Sequence, residues 1–150
     1  MDSRGRPIVI LLAEDDEDDY LLIRDALKES RVSNDIHWVR DGEELLHYLH
    51  REGGYADQKE SPKPGIILLD LNMPKKDGRE ALREIKSHQA LRNIPVVVLT
   101  TSKSDEDIIR SYGLGVNSYI RKPVRFDDFV EVIKTLGKYW FEIVELPSEE

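Results

Sequence analysis

Five short apolar runs, each of strand length and each separated from the next by an amphipathic or polar stretch, constrain this chain more than any other feature. Ile8-Val9-Ile10-Leu11-Leu12-Ala13 is continuous rather than alternating, as expected of a strand covered on both faces. Ile36, Trp38 and Val39 make a weaker second run, and Ile66-Ile67-Leu68-Leu69 makes a third that stops abruptly on Asp70. Pro95-Val96-Val97-Val98-Leu99-Thr100 is the fourth, with its proline confined to the first residue of the strand. Ser118-Tyr119-Ile120 is a short fifth.

The intervening segments carry helical spacing. Residues 18–30 place Leu22, Ile23, Ala26 and Leu27 on one face, and Leu45, Leu46 and Leu49 do the same after the Asp41-Gly42 punctuation. Ala81, Leu82 and Ile85 mark a third helix. Ser104-Asp105-Glu106-Asp107 reads as an acceptor-rich, negative helix start before Ile108, Ile109 and Tyr112. A last helix over about residues 126–141 lines up Phe126, Phe129, Val130, Ile133, Leu136 and Trp140. Residues 52–65 hold three glycines, two prolines and many charges, so they read as a surface loop. Strand-helix alternation repeated in this way predicts an α/β fold: a doubly wound, five-stranded parallel sheet between two helical layers, a three-layer α/β/α sandwich. One domain is expected over residues 1–150, with a core of about 8–142, a short N-terminal tail and a frayed acidic C-terminal tail.

Composition excludes several kinds of protein. The chain has no cysteine, which rules out disulfides, thiolate zinc sites and thiol nucleophiles. Its formal charge of -8 argues against direct binding of nucleic acid. The acids from Glu14 onward cut off the first apolar run, so neither a signal peptide nor a bilayer span is expected, and the reading is cytoplasmic.

Ligands of open parallel sheets sit at the carboxyl ends of the strands. There the first strand delivers Glu14-Asp15-Asp16, the third Asp70 and the fourth Thr100, with Lys122 closely following the fifth. Converging carboxylates repel, and a hard divalent cation such as magnesium resolves the conflict. With a lysine and a hydroxyl added, the set has the parts to bind a transferring phosphoryl group, for which an aspartate is a known acceptor. Each residue alone has a plainer reading. The acids of the first strand suit a solvated helix start, Asp70 a turn cap, Thr100 a strand end and Lys122 the surface. Their joint appearance at successive strand ends favours the site.

Over roughly residues 8–138 these motifs resemble response-regulator receiver domains. Asp70-Leu71-Asn72-Met73-Pro74 with Asp77-Gly78 is similar to the phosphoacceptor strand and loop, and Glu14-Asp15 to the magnesium-binding acids. Leu99-Thr100-Thr101 resembles the switch-threonine segment, Tyr119 stands at the aromatic switch position, and Arg121-Lys122-Pro123 resembles the Lys-Pro element. The resemblance implies a flavodoxin-like strand order 2-1-3-4-5 and a phosphoacceptor signalling domain rather than an enzyme, with Mg2+-dependent self-phosphorylation and self-dephosphorylation. It implies that Asp70 accepts a phosphoryl group from a sensor histidine kinase, that Asp15 binds Mg2+ directly and Glu14 through water, and that the Asn72 carbonyl completes the ligands. Lys122 and Thr100 would contact the phosphoryl oxygens, Tyr119 would turn inward, and Asn72 and Ser102 would tune the lifetime of the aspartyl phosphate. A cis bond before Pro123 is common in the family.

The chain departs from the family in starting its acidic pair with Glu14, in adding Asp16, for which the family has no role, and in carrying Thr101 where a small residue is common. The loop 52–65, the Lys75-to-Glu80 stretch and the Tyr139-Trp140-Phe141 ending resemble small regulators paired with bacterial phytochromes. That subfamily tends to dimerise through the fourth-helix, fifth-strand and fifth-helix face. Three consecutive aromatics cannot all face one core stripe, so at least one is expected to cover an apolar patch or a partner. With little chain after residue 141, output is expected to go through protein contacts. Three rivals share parts of this pattern: a phosphate-independent receiver-like module, a Mg2+-dependent phosphohydrolase, whose second aspartate is here Asn72, and a flavodoxin, whose phosphate loop is not found.

Overall fold

A computed structural model of the chain describes residues 9–29, 35–57, 60–71, 73, 75–76, 78–100, 118–121, 127, 128 and 131, leaving aside the side chains of 29, 100 and 118–121. The strands are β1 (Ile10–Ala13), β2 (Ile36–Val39), β3 (Ile66–Asp70), β4 (Val96–Thr100) and β5 (Ser118–Arg121). All four pairings are parallel, in the order β2-β1-β3-β4-β5, which is the expected doubly wound arrangement. The expected helix over 104–112, the Lys122-Pro123 bond and the C-terminal tail lie outside the described residues, as does the expected helix over 126–141 apart from residues 127, 128 and 131, which are helical and exposed.

Every residue of β1 and β3 is buried, as continuous apolar runs predict for strands covered on both faces. Alternation along the strands then sorts the core into two layers. Ile10, Leu12, Ile66, Leu68, Val97 and Leu99 pack with Ile23, Ala26 and Leu27 of α1 (Glu17–Glu29). Leu11, Ala13, Ile67, Leu69, Val96 and Val98 face the other way. They meet Leu45 and Leu49 of α2 (Gly42–Leu49) and Ala81, Leu82 and Ile85 of α3 (Gly78–Ser87). Burying each of these large aliphatic side chains contributes about 1.5–3 kcal/mol against leaving it in water.

Two features differ from a reading by periodicity. The first helix starts at Glu17 because Asp16 caps it, its Oδ1 accepting from the backbone N–H groups of Asp18 at 2.8 Å and Asp19 at 3.3 Å. The loop of residues 52–65 is also anchored rather than merely superficial. It forms a 3-10 turn at Gly53–Tyr55. Tyr48 Oη donates to the Pro62 carbonyl and Arg51 Nη1 to the Ser61 carbonyl, each at 2.8 Å, while Tyr55 Oη donates to Glu44. Ser61 is buried despite its polarity.

Candidate functional site

Register alone brings two acids together. Ala13 of β1 stands opposite Leu69 of β3, so the next residues, Glu14 and Asp70, emerge side by side at the carboxyl edge. Neighbouring strands lie about 4.8 Å apart, close enough for their side chains to share one ligand. Glu14 is fully buried and Asp70 is 4% exposed, whereas Asp15 is exposed. One carboxylate oxygen from each of the three lies within 4.8 Å of the other two.

Backbone bonds fix the first pair. The Glu14 N–H donates to the Val39 carbonyl at 3.0 Å, and the Glu14 carbonyl accepts from Trp38 Nε1 at 2.7 Å. Glu14 Oε2 accepts from the Asp16 N–H at 3.3 Å. The run of three acids therefore divides its work: Glu14 and Asp15 serve the cluster, and the Asp16 carboxylate caps α1. An Asp just ahead of an acidic, amphipathic stretch is the ordinary helix-start signal, and it was available in the sequence.

Close backbone approach fixes the Asp70 side. The Leu71 N–H donates to the Leu99 carbonyl at 3.2 Å, and the Gly78 N–H donates to the Leu71 carbonyl at 3.0 Å. A Cβ at Gly78 would lie 2.4 Å from the Asp70 carbonyl oxygen, so only glycine fits there. Gly42, at the start of α2, donates its N–H to the Lys76 carbonyl at 2.9 Å, and Lys75 ion-pairs with Asp41 at 3.7 Å. The chain after β3 is thereby docked on the N-terminus of α2.

The donor set suits a hard divalent cation, since all three side chains offer carboxylate oxygen. Oxygens about 2.1 Å from a magnesium ion stand roughly 3 Å apart when adjacent and about 4.2 Å apart when opposite. Separations of up to 4.8 Å are close to that range. A cation among these carboxylates would also offset their mutual repulsion.

Thr100 closes β4 one residue beyond Leu99, the partner of Asp70, and pairs with Arg121; Tyr119 lies on β5 opposite Val98. Their backbones thus reach the same region, but their side chains are not among those described. Asn72, Ser102, Lys122, Tyr139, Trp140 and Phe141 lie outside the described residues. Among the described residues, no helix is long and apolar enough to cross a membrane.

A parallel sheet of this order, with acids gathered at its carboxyl edge, is the architecture of receivers. Residues 10–134 match the family described as the response regulator receiver domain, and the chain belongs to that family. It is therefore a phosphorelay signalling domain, not an enzyme in the ordinary sense. Among particular relatives, it is 44% identical over 147 residues to response regulator Rcp1 of Synechocystis sp., covering 98% of each chain. It is 43% identical over 136 residues to the probable methanogenesis regulatory protein FilR2 of Methanothrix harundinacea, covering 89% of this chain and 84% of that one. The crystal structure of the phosphorylated cyanobacterial phytochrome response regulator RcpA superposes with a TM-score of 0.83 at 46% identity, over 90% of this chain and 94% of that one. The Mn2+-bound form of Rcp1 gives 0.82 at 44% identity, over 91% and 96%.

Proposed function

We propose that this chain accepts a phosphoryl group on Asp70 from the phosphohistidine of a sensor histidine kinase. The observation that carries this reading is the gathering of buried Asp70 with Glu14 and Asp15 at the sheet edge. In the transfer, a carboxylate oxygen of Asp70 attacks phosphorus and forms the new O–P bond. The N–P bond breaks, and the imidazole nitrogen keeps the electron pair and takes up a proton. Self-phosphorylation from acetyl phosphate or phosphoramidate uses the same attack, with the donor's O–P bond breaking to release acetate, or its N–P bond breaking to release ammonia after the nitrogen takes up a proton. In self-dephosphorylation a water oxygen attacks phosphorus, the O–P bond to Asp70 breaks, and inorganic phosphate leaves a restored carboxylate.

Mg2+ would be held by Glu14, Asp15, Asp70 and the Asn72 carbonyl, and when bound it supplies positive charge against the carboxylates and the phosphoryl oxygens. Lys122 and Thr100 contact those oxygens through charge-assisted hydrogen bonds. The added charge draws Thr100 toward the phosphate and lets Tyr119 turn inward, biasing the face formed by residues 104–112, β5 and residues 126–141. Asn72 and Ser102 tune how fast water reaches the aspartyl phosphate.

A phytochrome-type kinase is the proposed partner, supported by 46% identity to the phytochrome response regulator RcpA. The protein works in the cytoplasm as a homodimer through that switched face, with Tyr139, Trp140 and Phe141 in or beside the contact. The divalent cation finds support in the Mn2+-bound form of the relative Rcp1. Phosphotransfer from a panel of purified sensor kinases, in Mg2+ with wild type and Asp70→Asn side by side, tests both claims. Rapid, Asp70-dependent transfer from phytochrome kinases alone is expected. Equal labelling of the Asp70→Asn chain would sink the acceptor, and faster transfer from kinases of another sensor class would sink the phytochrome link.

A further inference from the structure

The indole of Trp38 is half-buried, yet it makes a short polar bond that packing alone does not require. Trp38 lies on β2 opposite Leu12 of β1. Its Nε1–H donates to the Glu14 carbonyl at 2.7 Å. The ring is held on both sides: Tyr20 of α1 stacks on one face, with centroids 4.0 Å apart and planes within 3°, and the Arg40 guanidinium lies 4.3 Å from the ring centroid. Arg24 in turn approaches the Tyr20 ring at 5.9 Å. A ring clamped in this way has little freedom, so its N–H is a fixed donor.

The acceptor it holds belongs to the peptide joining Glu14 to Asp15. With the Glu14 N–H already tied to Val39, the second bond fixes the plane of that peptide. The plane sets the direction in which the Asp15 side chain leaves the backbone. Asp15 is the exposed member of the acidic cluster, and the one whose side chain would otherwise wander furthest.

From this geometry we infer that Trp38 is a positioning residue for the divalent cation, its stacked indole holding the Glu14-Asp15 peptide in the orientation that aims Asp15 at the site. The inference rests on the metal site proposed above. It makes Tyr20 and Arg40 indirect supports, and it makes the Trp38 fluorescence a reporter of metal binding, because the Glu14 carbonyl and the Asp15 carboxylate share one short stretch of chain.

The test is Mn2+ binding, measured by electron paramagnetic resonance of the free ion, on wild type, Trp38→Phe and Tyr20→Leu. A third protein carries benzothienylalanine at position 38, which keeps the bicyclic ring and its stack and removes only the N–H. The loss of one hydrogen bond predicts a three- to tenfold weaker affinity, as an order of magnitude, for Trp38→Phe and for the benzothienyl protein. Tyr20→Leu, which keeps the donor, should change affinity less than either. Titration with Mg2+ should change the tryptophan fluorescence of a Trp140→Phe chain, in which Trp38 is the remaining indole. Unaltered Mn2+ affinity in the folded benzothienyl protein would overturn the inference, as would an unchanged tryptophan fluorescence when Trp140→Phe binds Mg2+. Failure of wild type to bind Mn2+ would overturn the metal site and this inference together, so the two failures are distinguishable.

Discussion

The backbone oxygen of Asp70 and the α-carbon of Gly78 lie so close that a Cβ at position 78 would stand 2.4 Å from that oxygen and 2.6 Å from the Leu71 α-carbon. The turn after β3 can therefore fold back against the strand that carries Asp70 only with glycine at its end. Gly78→Ala must push backbone apart at the site, and overpacking of this kind costs about 1–3 kcal/mol. Urea unfolding should show a lower midpoint with an unchanged slope, and phosphorylation from acetyl phosphate should slow. Gly54→Ala is the control, since nothing lies within 4 Å of its Cβ position, and it should stay within about 0.5 kcal/mol of wild type.

The two neighbouring acids Asp15 and Asp16 should separate cleanly. Asp16→Ala removes the cap of α1 and should cost about 1 kcal/mol of stability, with Mg2+ affinity changed less than twofold, as an order-of-magnitude expectation for a residue outside the ligand set. Asp16→Ser keeps a capping oxygen and should recover most of the loss. Asp15→Asn should do the reverse, leaving stability without metal close to wild type and weakening Mg2+ binding. Chemical denaturation beside calorimetric metal titration checks both.

Metal should also stabilise the fold by mass action. At a hundred times its dissociation constant, a ligand that binds only the folded state adds about 2.7 kcal/mol. The urea midpoint of wild type should rise with Mg2+ and fall back on chelation with EDTA. The rise should largely disappear in Asp15→Asn.

Burial pushes the Tyr48 phenol up from 10.0 to about 12, with Arg51 pulling weakly the other way. The fold thus favours the neutral phenol, whose hydroxyl donates to the Pro62 carbonyl. Its contribution to stability is complete below the ordinary tyrosine value and is lost as pH climbs through the window from about 10 to 12. Burial and the Glu44 carboxylate likewise push Tyr55 upward. Unfolding free energy measured between pH 9 and 12 should fall, and the fall should be shallower in Tyr48→Phe. Tyrosinate absorbance should show these two phenols ionising above the ordinary tyrosine value of 10.0.

The sheet was legible because its physics is local. Ile66-Ile67-Leu68-Leu69 is apolar without interruption because both its faces are covered, and Asp70 ends it with a buried charge at the carboxyl edge of the sheet. The side-by-side placing of Glu14 and Asp70 followed from strand order, which handedness and alternation restrict. Trp38 was legible only as a strand residue. Its bond to Glu14 spans 24 positions and joins a side chain to a backbone oxygen, and such pairings leave no periodic trace. The anchoring of residues 52–65 was hidden for the same reason, since Tyr48 and Arg51 reach carbonyls in a segment whose glycines, prolines and charges suggest only a loop. The role of Asp16 was readable as a helix start but was masked by the two acids before it.

The most direct test of the central claim traps the phosphoryl group where it lands. Wild-type protein phosphorylated in Mg2+ and reduced with borohydride converts an aspartyl phosphate to homoserine, which peptide mass spectrometry locates. Homoserine is expected at position 70 and nowhere else, with none formed when Mg2+ is chelated. Homoserine at another acid, such as Asp15, or phosphorylation without a reducible acyl phosphate at Asp70, would contradict that claim.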